Sequence, residues 1–237
     1  IIEKGGFDLI LANPPWERIK LQEKEFFMEK ESELANAANS AVRKKLIQKL
    51  QVKNPKLWQD FLNALHESES SSKFVRGSGR FPLAGRGDVN TYSVFSELIE
   101  KGINDKGAAG FIAPTGIATD DTTKFYFSDL IEKGRLVSLF DFENRKKIFP
   151  KVDSRTKFSL ITLGTIKKGR ESTFGFFLHD VLDILDKERV FTLGQRDFLN
   201  INPNTKTTPI FRTRKDAELT AKIYSRVPVL INEAKNQ

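Results

Sequence analysis

The sequence contains no cysteine, which excludes disulfides and cysteine-ligated zinc. It has only two histidines, His66 and His179, far apart and without a partner motif. Each reads as a surface or helix residue rather than as a base or metal ligand. No apolar run approaches the ~20 residues that a membrane-spanning helix needs, so none is expected. The glycines between Gly77 and Gly87 do not follow a strand directly and lack a Gly-Lys-Ser/Thr ending, which argues against a nucleoside-triphosphate loop. Methionine is nearly absent too. Residue 1 is Ile, the only methionine is Met28, and no signal-peptide pattern accounts for that start. The chain therefore reads as a segment of a longer polypeptide, lacking sequence on its N-terminal side.

What is present is positive charge in blocks. The formal net charge is +8 over 237 residues. Arg43 to Lys56 holds six basic residues and no acid, and Arg145 to Arg170 holds nine against one, Asp153. Such blocks suit a polyanion, with each phosphate contact adding salt-sensitive affinity. They are equally what a solvated helix face and a flexible loop look like.

Hydrophobic patterning orders the chain. Phe7 to Ala12 is a short apolar run after Gly-Gly, read as a buried strand of a parallel sheet. Residues 17–73 read as a helical insertion, in which Val42, Leu46 and Leu50 share a face. Asn54-Pro55 ends one helix there and starts the next, with Leu57, Trp58, Phe61, Leu62 and Leu65 as its apolar side. The Ser- and Gly-rich stretch that follows reads as a loop, placed at 74–90. A helix from Thr91 to about Gly102, a strand at Ala108–Ala113 and a helix from Asp120 or Asp121 ending at Gly134 come next. Leu136–Phe142 and Phe158–Ile166 read as two strands with no helix between them, suggesting an antiparallel pair. Phe174–Leu178 reads as a strand, Val181–Lys187 as a short helix, Asn200–Thr208 as a polar loop, and 209–237 as a connector running into a helix. Alternating strands and helices imply an α/β fold with a mostly parallel sheet.

The chemistry sits at the end of the first strand, in Asn13-Pro14-Pro15-Trp16. An exocyclic amine on adenine is a poor nucleophile because its lone pair is delocalised into the ring. Two fixed acceptors on its hydrogens favour a pyramidal nitrogen. The Asn13 side-chain oxygen and the Pro14 carbonyl are suited to be that pair, and the prolines restrict the backbone that presents them. Trp16 offers a flat surface on which a base can stack, worth roughly 1–3 kcal/mol. Asn and Pro are also ordinary turn residues. The strand immediately before them and the element order after them favour the site. Asp8 carries no catalytic role in this reading.

The strand with Asn-Pro-Pro-Trp resembles motif IV of the amino-methyltransferases. Gly85 to Phe95, Phe111 to Thr115, Ser154 to Ser159 and Pro203 to Asp216 extend the likeness to the N6-adenine DNA methyltransferases of the large type IIG and related restriction–modification families. That resemblance implies the C-terminal half of a Rossmann-like S-adenosylmethionine-dependent methyltransferase sheet, with its last strand antiparallel. Residues 1–170 would form part of the catalytic domain, and 171–237 its end plus a connector toward a target-recognition domain. It implies catalytic roles for Asn13, Pro14 and Trp16. It implies substrate contacts from Pro15, Asn90, Tyr92 and Lys157, and cofactor contacts from Asn13 and Asp88; Asn90 or Thr91 is equally a helix cap. The implied cofactor is S-adenosylmethionine, the partner double-stranded DNA with a flipped adenine, and the location a prokaryotic cytoplasm. The glycine turn and the acidic residue that hold the cofactor in that family are not recognisable here. The non-initiator start favours placing them in the missing N-terminal part of the same polypeptide, the other motif order placing them beyond residue 237; either way the chain alone is expected neither to bind the cofactor tightly nor to methylate DNA. Its first strand is then expected to lack a partner on one side. Methylation of RNA or of protein glutamine, and a non-catalytic DNA-binding role, are the alternatives.

Overall fold

A computed structural model describes residues 5–233. Its frame is one six-stranded sheet in the order β1-β2-β4-β3-β5-β6. The strands are β1 (Phe7–Ala12), β2 (Ile103–Ala113), β3 (Leu136–Glu143), β4 (Lys157–Leu163), β5 (Ser172–Leu178) and β6 (Val190–Leu193). β1 and β2 pair in parallel, as do β3 and β5. β4 inserts between β2 and β3, antiparallel to both, and β6 is antiparallel to β5. Four strands thus share one direction, so the expected mostly parallel α/β sheet with its antiparallel β3–β4 pair is found. The sheet also runs past residue 170, because β5 and β6 extend it.

The helices are α1 (Glu23–Met28), α2 (Ser32–Ala35), α3 (Ser40–Lys53), α4 (Pro55–Gly77), α5 (Thr91–Gly102), α6 (Gly116–Thr119), α7 (Lys124–Lys133), α8 (Gln195–Ile201) and α9 (Arg214–Tyr224). Strand alternation sends Leu139, Ile161, Leu163, Phe174 and Phe176 to one face of the sheet. There they meet Tyr92 and Ile99 of α5, Tyr126, Phe127, Leu130 and Ile131 of α7, and Phe198 of α8 in the main core. Phe142, Phe158 and Leu178 form a smaller cluster elsewhere on the sheet. α1 to α4 build a third core of their own around Phe27, Leu34, Ile47, Leu50, Leu57 and Phe61. The helical insertion therefore packs chiefly on itself.

The local signals that set element ends act as expected in two places. Asn54 caps α4, its Oδ1 accepting from Leu57 N at 3.1 Å, with Pro55 in the first turn. Gly134 ends α7 at φ 65, and a Cβ there would lie 1.9 Å from the Lys167 carbonyl oxygen.

Five expectations need correction. β1 is an edge strand, with β2 its only partner among the described residues, as expected, but it is not buried with covered faces: Leu9 is 59% and Leu11 76% exposed. α4 runs past residue 73 to Gly77, since buried Val75 gives the serine-rich turns something to pack. On α3 the buried residues are Ile47 and Leu50, while Val42 stays exposed. A short 3-10 turn, Asp121–Thr123, leads into α7, so that helix begins at Lys124. In the supposed connector, α9 is a complete helix whose Ala217 reaches the main core; residues 234–237 lie outside the described residues. The strand β6 was not expected at all.

Candidate nucleobase site

β1 ends at Ala12, and the chain crosses the carboxyl edge of the sheet as Asn13-Pro14-Pro15-Trp16. These four residues line a cleft of about 320 Å³ with Ile112, Phe149, Val152, Thr156 and Phe158. Pro14 is buried, Asn13 is exposed and Trp16 is 36% exposed. The Asn13 side chain makes no hydrogen bond among the described residues, so its oxygen is available as an acceptor.

The loop's position comes from α5. Thr91 Oγ1 donates to the Pro15 carbonyl at 2.7 Å and accepts from Glu17 N at 2.9 Å. Thr91 N donates to the Glu17 carbonyl at 2.8 Å, Ile19 N to that of Val89 at 3.2 Å, and Arg18 bridges Asn90. Residues 15–19 and 89–91 thus form a short antiparallel tie, which brings the Gly85–Phe95 segment beside the motif.

The far wall arrives from the stretch between β3 and β4. Asn144 is fully buried and its amide staples that stretch. Its Nδ2 donates to the carbonyls of Phe149 at 2.9 Å and Val152 at 3.0 Å, while Oδ1 accepts from Phe149 N at 2.9 Å. The basic block expected as a flexible loop is therefore clamped along its Asn144–Val152 part. Phe149 packs edge-on against Phe158 at 5.0 Å, and Phe158 stacks on Phe142 at 5.4 Å. Together these rings give the cleft a rigid aromatic side.

The other expected site residues lie elsewhere. Asn90 is the N-cap residue of α5, without a side-chain cap bond, and its Nδ2 reaches the Asp88 carbonyl at 3.5 Å. Tyr92 is buried in the main core, and burial together with the Asp120 charge pushes its hydroxyl up to about 12, so it stays neutral. Lys157 bridges Glu143 at 3.1 Å. Asp88 lines a separate groove of about 940 Å³ between residues 18–24 and the α3–α4 pair. That groove carries seven basic side chains, among them Arg18, Lys20, Lys24, Lys44 and Lys73, against three acidic ones. His66 is exposed on α4, as expected, whereas His179 stands half-buried beside Glu143. Asp8 accepts from Asn104 Nδ2 at 2.7 Å and so ties β1 to β2.

Thr156 and Phe158 fall in the Ser154–Ser159 segment, and Thr91 in the Gly85–Phe95 segment, that carry the resemblance, whereas Phe149, Val152 and Asn144 were not foreseen. Phe149 and Val152 are apolar residues just before the Ser154–Ser159 segment, and that was their only signal. Nothing local marks Thr91 or Asn144 as tethers.

Asp141 sits near the same edge. It is buried, which raises its carboxyl above the usual range, and it accepts from Thr115 and from Ser159 Oγ at 3.1 Å. It joins the end of β2 to β3 and β4.

No family model matches this sequence, and no curated protein does. Several solved structures are similar in fold. A type I restriction-modification methyltransferase subunit from Streptococcus thermophilus is 13% identical, with a TM-score of 0.48 over 88% of this chain. The type IIG restriction endonuclease BpuSI is 13% identical, with a TM-score of 0.42 over 93%. A putative class I S-adenosylmethionine-dependent methyltransferase from Listeria monocytogenes is 10% identical, with a TM-score of 0.35 over 73%. This chain spans 39%, 21% and 37% of those chains, respectively.

Proposed function

We propose that this chain is the target-base portion of a site-specific DNA adenine-N6 methyltransferase, of the kind found in restriction–modification and related defence systems. The observation that carries the reading is the cleft at the end of β1. It presents an unpaired Asn13 amide, the Asn-Pro-Pro backbone and the aromatic residues Trp16, Phe149 and Phe158 around a base-sized space. Pocket volumes for small ligands start at about 300 Å³, so a single extruded base suits it. The Asn13 oxygen and the Pro14 carbonyl accept from the two amine hydrogens and localise the nitrogen lone pair. Trp16 and Phe149 supply the apolar surface. Thr91 and Asn144 act as positioning residues for the two walls. A base in a duplex reaches such a cleft only by flipping out, and the basic groove beside residues 18–24 suits the backbone it leaves behind.

S-adenosylmethionine is the methyl donor that the motif's resemblance implies. The cleft's lining has no charged side chain to pair with the donor's ammonium and carboxylate. It fits the acceptor base and not the donor.

The test is labelled methyl transfer from S-adenosylmethionine to DNA by the polypeptide that carries this chain. Asn13→Ala should cut incorporation by on the order of 10²–10³-fold, the usual effect of removing one polar group aimed at developing charge. Incorporation into RNA or protein but not DNA, or full activity in Asn13→Ala, would refute the reading.

A further inference from the structure

A second cleft opens at the same edge of the sheet, about 330 Å³ in volume and lined by Glu143, Arg145, Phe177, His179, Arg189 and Arg212. Its chemistry is unlike that of the base cleft. Glu143, the last residue of β3, pairs in register with Lys157, the first of β4. Its carboxylate accepts from Arg145 at 2.6 Å, meets Lys157 at 3.1 Å and lies 3.3 Å from His179 Nε2. Arg189 is fixed to Asp183 at 2.7 Å and to the Phe177 carbonyl at 2.9 Å.

Phe177 is the odd residue. It has φ 57, a left-handed conformation rare for a bulky side chain, and it lies where the β3–β5 register shifts between Phe140 and Phe142. Bulges of this kind re-aim side chains and recur near functional sites. Here the ring takes Lys157 Nζ at 5.1 Å and the Arg212 guanidinium at 4.5 Å from its centroid. Arg212 is exposed and has no hydrogen bond or carboxylate partner among the described residues. Four cations, Arg145, Lys157, Arg189 and Arg212, therefore face two carboxylates, Glu143 and Asp183, leaving a surplus of two positive charges. A closed structural network would balance. This one holds the Arg212 guanidinium over the Phe177 ring with no protein acceptor for its donors among the described residues, and such a planar fork takes phosphate oxygens in pairs.

We propose that this cleft is a phosphate site, holding a phosphodiester of the strand whose base enters the Asn13 cleft. The identification of that phosphate as part of a nucleic acid rests on the function proposed above. Position supports it. Lys157 faces the charged cleft, while the next residue, Phe158, lines the base cleft, as strand alternation requires. The two clefts open at the same end of neighbouring strands but on opposite faces of the sheet, so a strand that occupies both must cross that edge.

Two measurements on the full chain test this. Inorganic phosphate should shift the Arg212 and Arg145 Nε–H resonances saturably, and Arg212→Gln should weaken that binding about tenfold; no shift beyond that of chloride at equal ionic strength would overturn the phosphate site. Affinity for a short single-stranded adenine-containing oligonucleotide is then followed against salt. Arg212→Gln should flatten the log–log slope by about 0.7, the loss of one single-strand phosphate contact. Phosphate binding with an unchanged slope would mean an anion site that does not hold nucleic acid, overturning the phosphodiester assignment. If the chain binds no oligonucleotide, the DNA reading and the phosphodiester assignment fail together, and the phosphate titration alone decides the anion site. Arg212 is exposed, so its replacement leaves the fold available for both readings.

Discussion

The two ends of the sheet are built on opposite plans. At one end β1 has a single partner and leaves Phe7, Leu9 and Leu11 exposed. Near the other, β5 buries Phe174 and Phe176 completely, and β6, α8 and α9 cover them with Phe191, Phe198 and Ala217. Stability and chemistry are thereby separated. The candidate base site hangs from the thinly packed strand and is held by a few hydrogen bonds, while the apolar burial that stabilises the fold is concentrated elsewhere. Substitutions at the two ends should therefore fail in different assays.

The largest expected effect lies in the packed end. Phe176→Ala should destabilise the chain by about 3–5 kcal/mol in urea unfolding, from lost transfer energy and the cavity left behind. Leu11→Ala should stay within about 0.5 kcal/mol, because Leu11 is already in water. Equal losses would erase the contrast. Next comes Asn144→Ala, which leaves buried backbone groups of Phe149 and Val152 without partners, at about 1–3 kcal/mol each if they find no water. It should also loosen the Phe149 wall and weaken oligonucleotide binding, so it alone should register in both assays. Trp16→Ala should weaken oligonucleotide binding by roughly 1–3 kcal/mol while the unfolding midpoint hardly moves.

The smallest effect concerns pH. The Arg145 guanidinium, with Lys157 and His179, holds the Glu143 carboxyl at about 2, below its ordinary 4.5. The folded form thus binds this proton more weakly than the unfolded form. The stabilisation is complete above the ordinary value and is lost as pH falls from 4.5 through 2. Glu143→Gln should flatten the acid limb of the stability profile over that window. An unchanged limb would show that the pair contributes nothing there.

Part of this was legible in the sequence. An apolar run ending in Asn-Pro-Pro-Trp is a local signal, and Pro55 and Gly134 mark helix ends by backbone constraints that need no tertiary partner. The unpaired edge of β1 was expected, but the exposure of Leu9 and Leu11 was not, because an apolar run looks the same whether or not a helix covers its face. β6 has four residues, too few for a period. The second wall of the base cleft comes from Phe149 to Phe158, more than 130 residues after Asn13, and β4 must insert between β2 and β3 before the two meet. The charged cleft depends on a register shift that turns Phe177 out of strand alternation, and nothing in Phe-Gly-Phe-Phe announces it.

The proposed function requires that the Asn13–Trp16 cleft receive an adenine. The chain has two tryptophans, so Trp58→Phe leaves Trp16 as the only indole emitter. Titrating that variant with single-stranded oligonucleotides measures stacking at the site directly. Saturable quenching of Trp16 by adenine-containing strands is expected, weakened by Asn13→Ala and much smaller for strands without adenine. Emission that does not change, or that changes equally for every base and in Asn13→Ala, would contradict it.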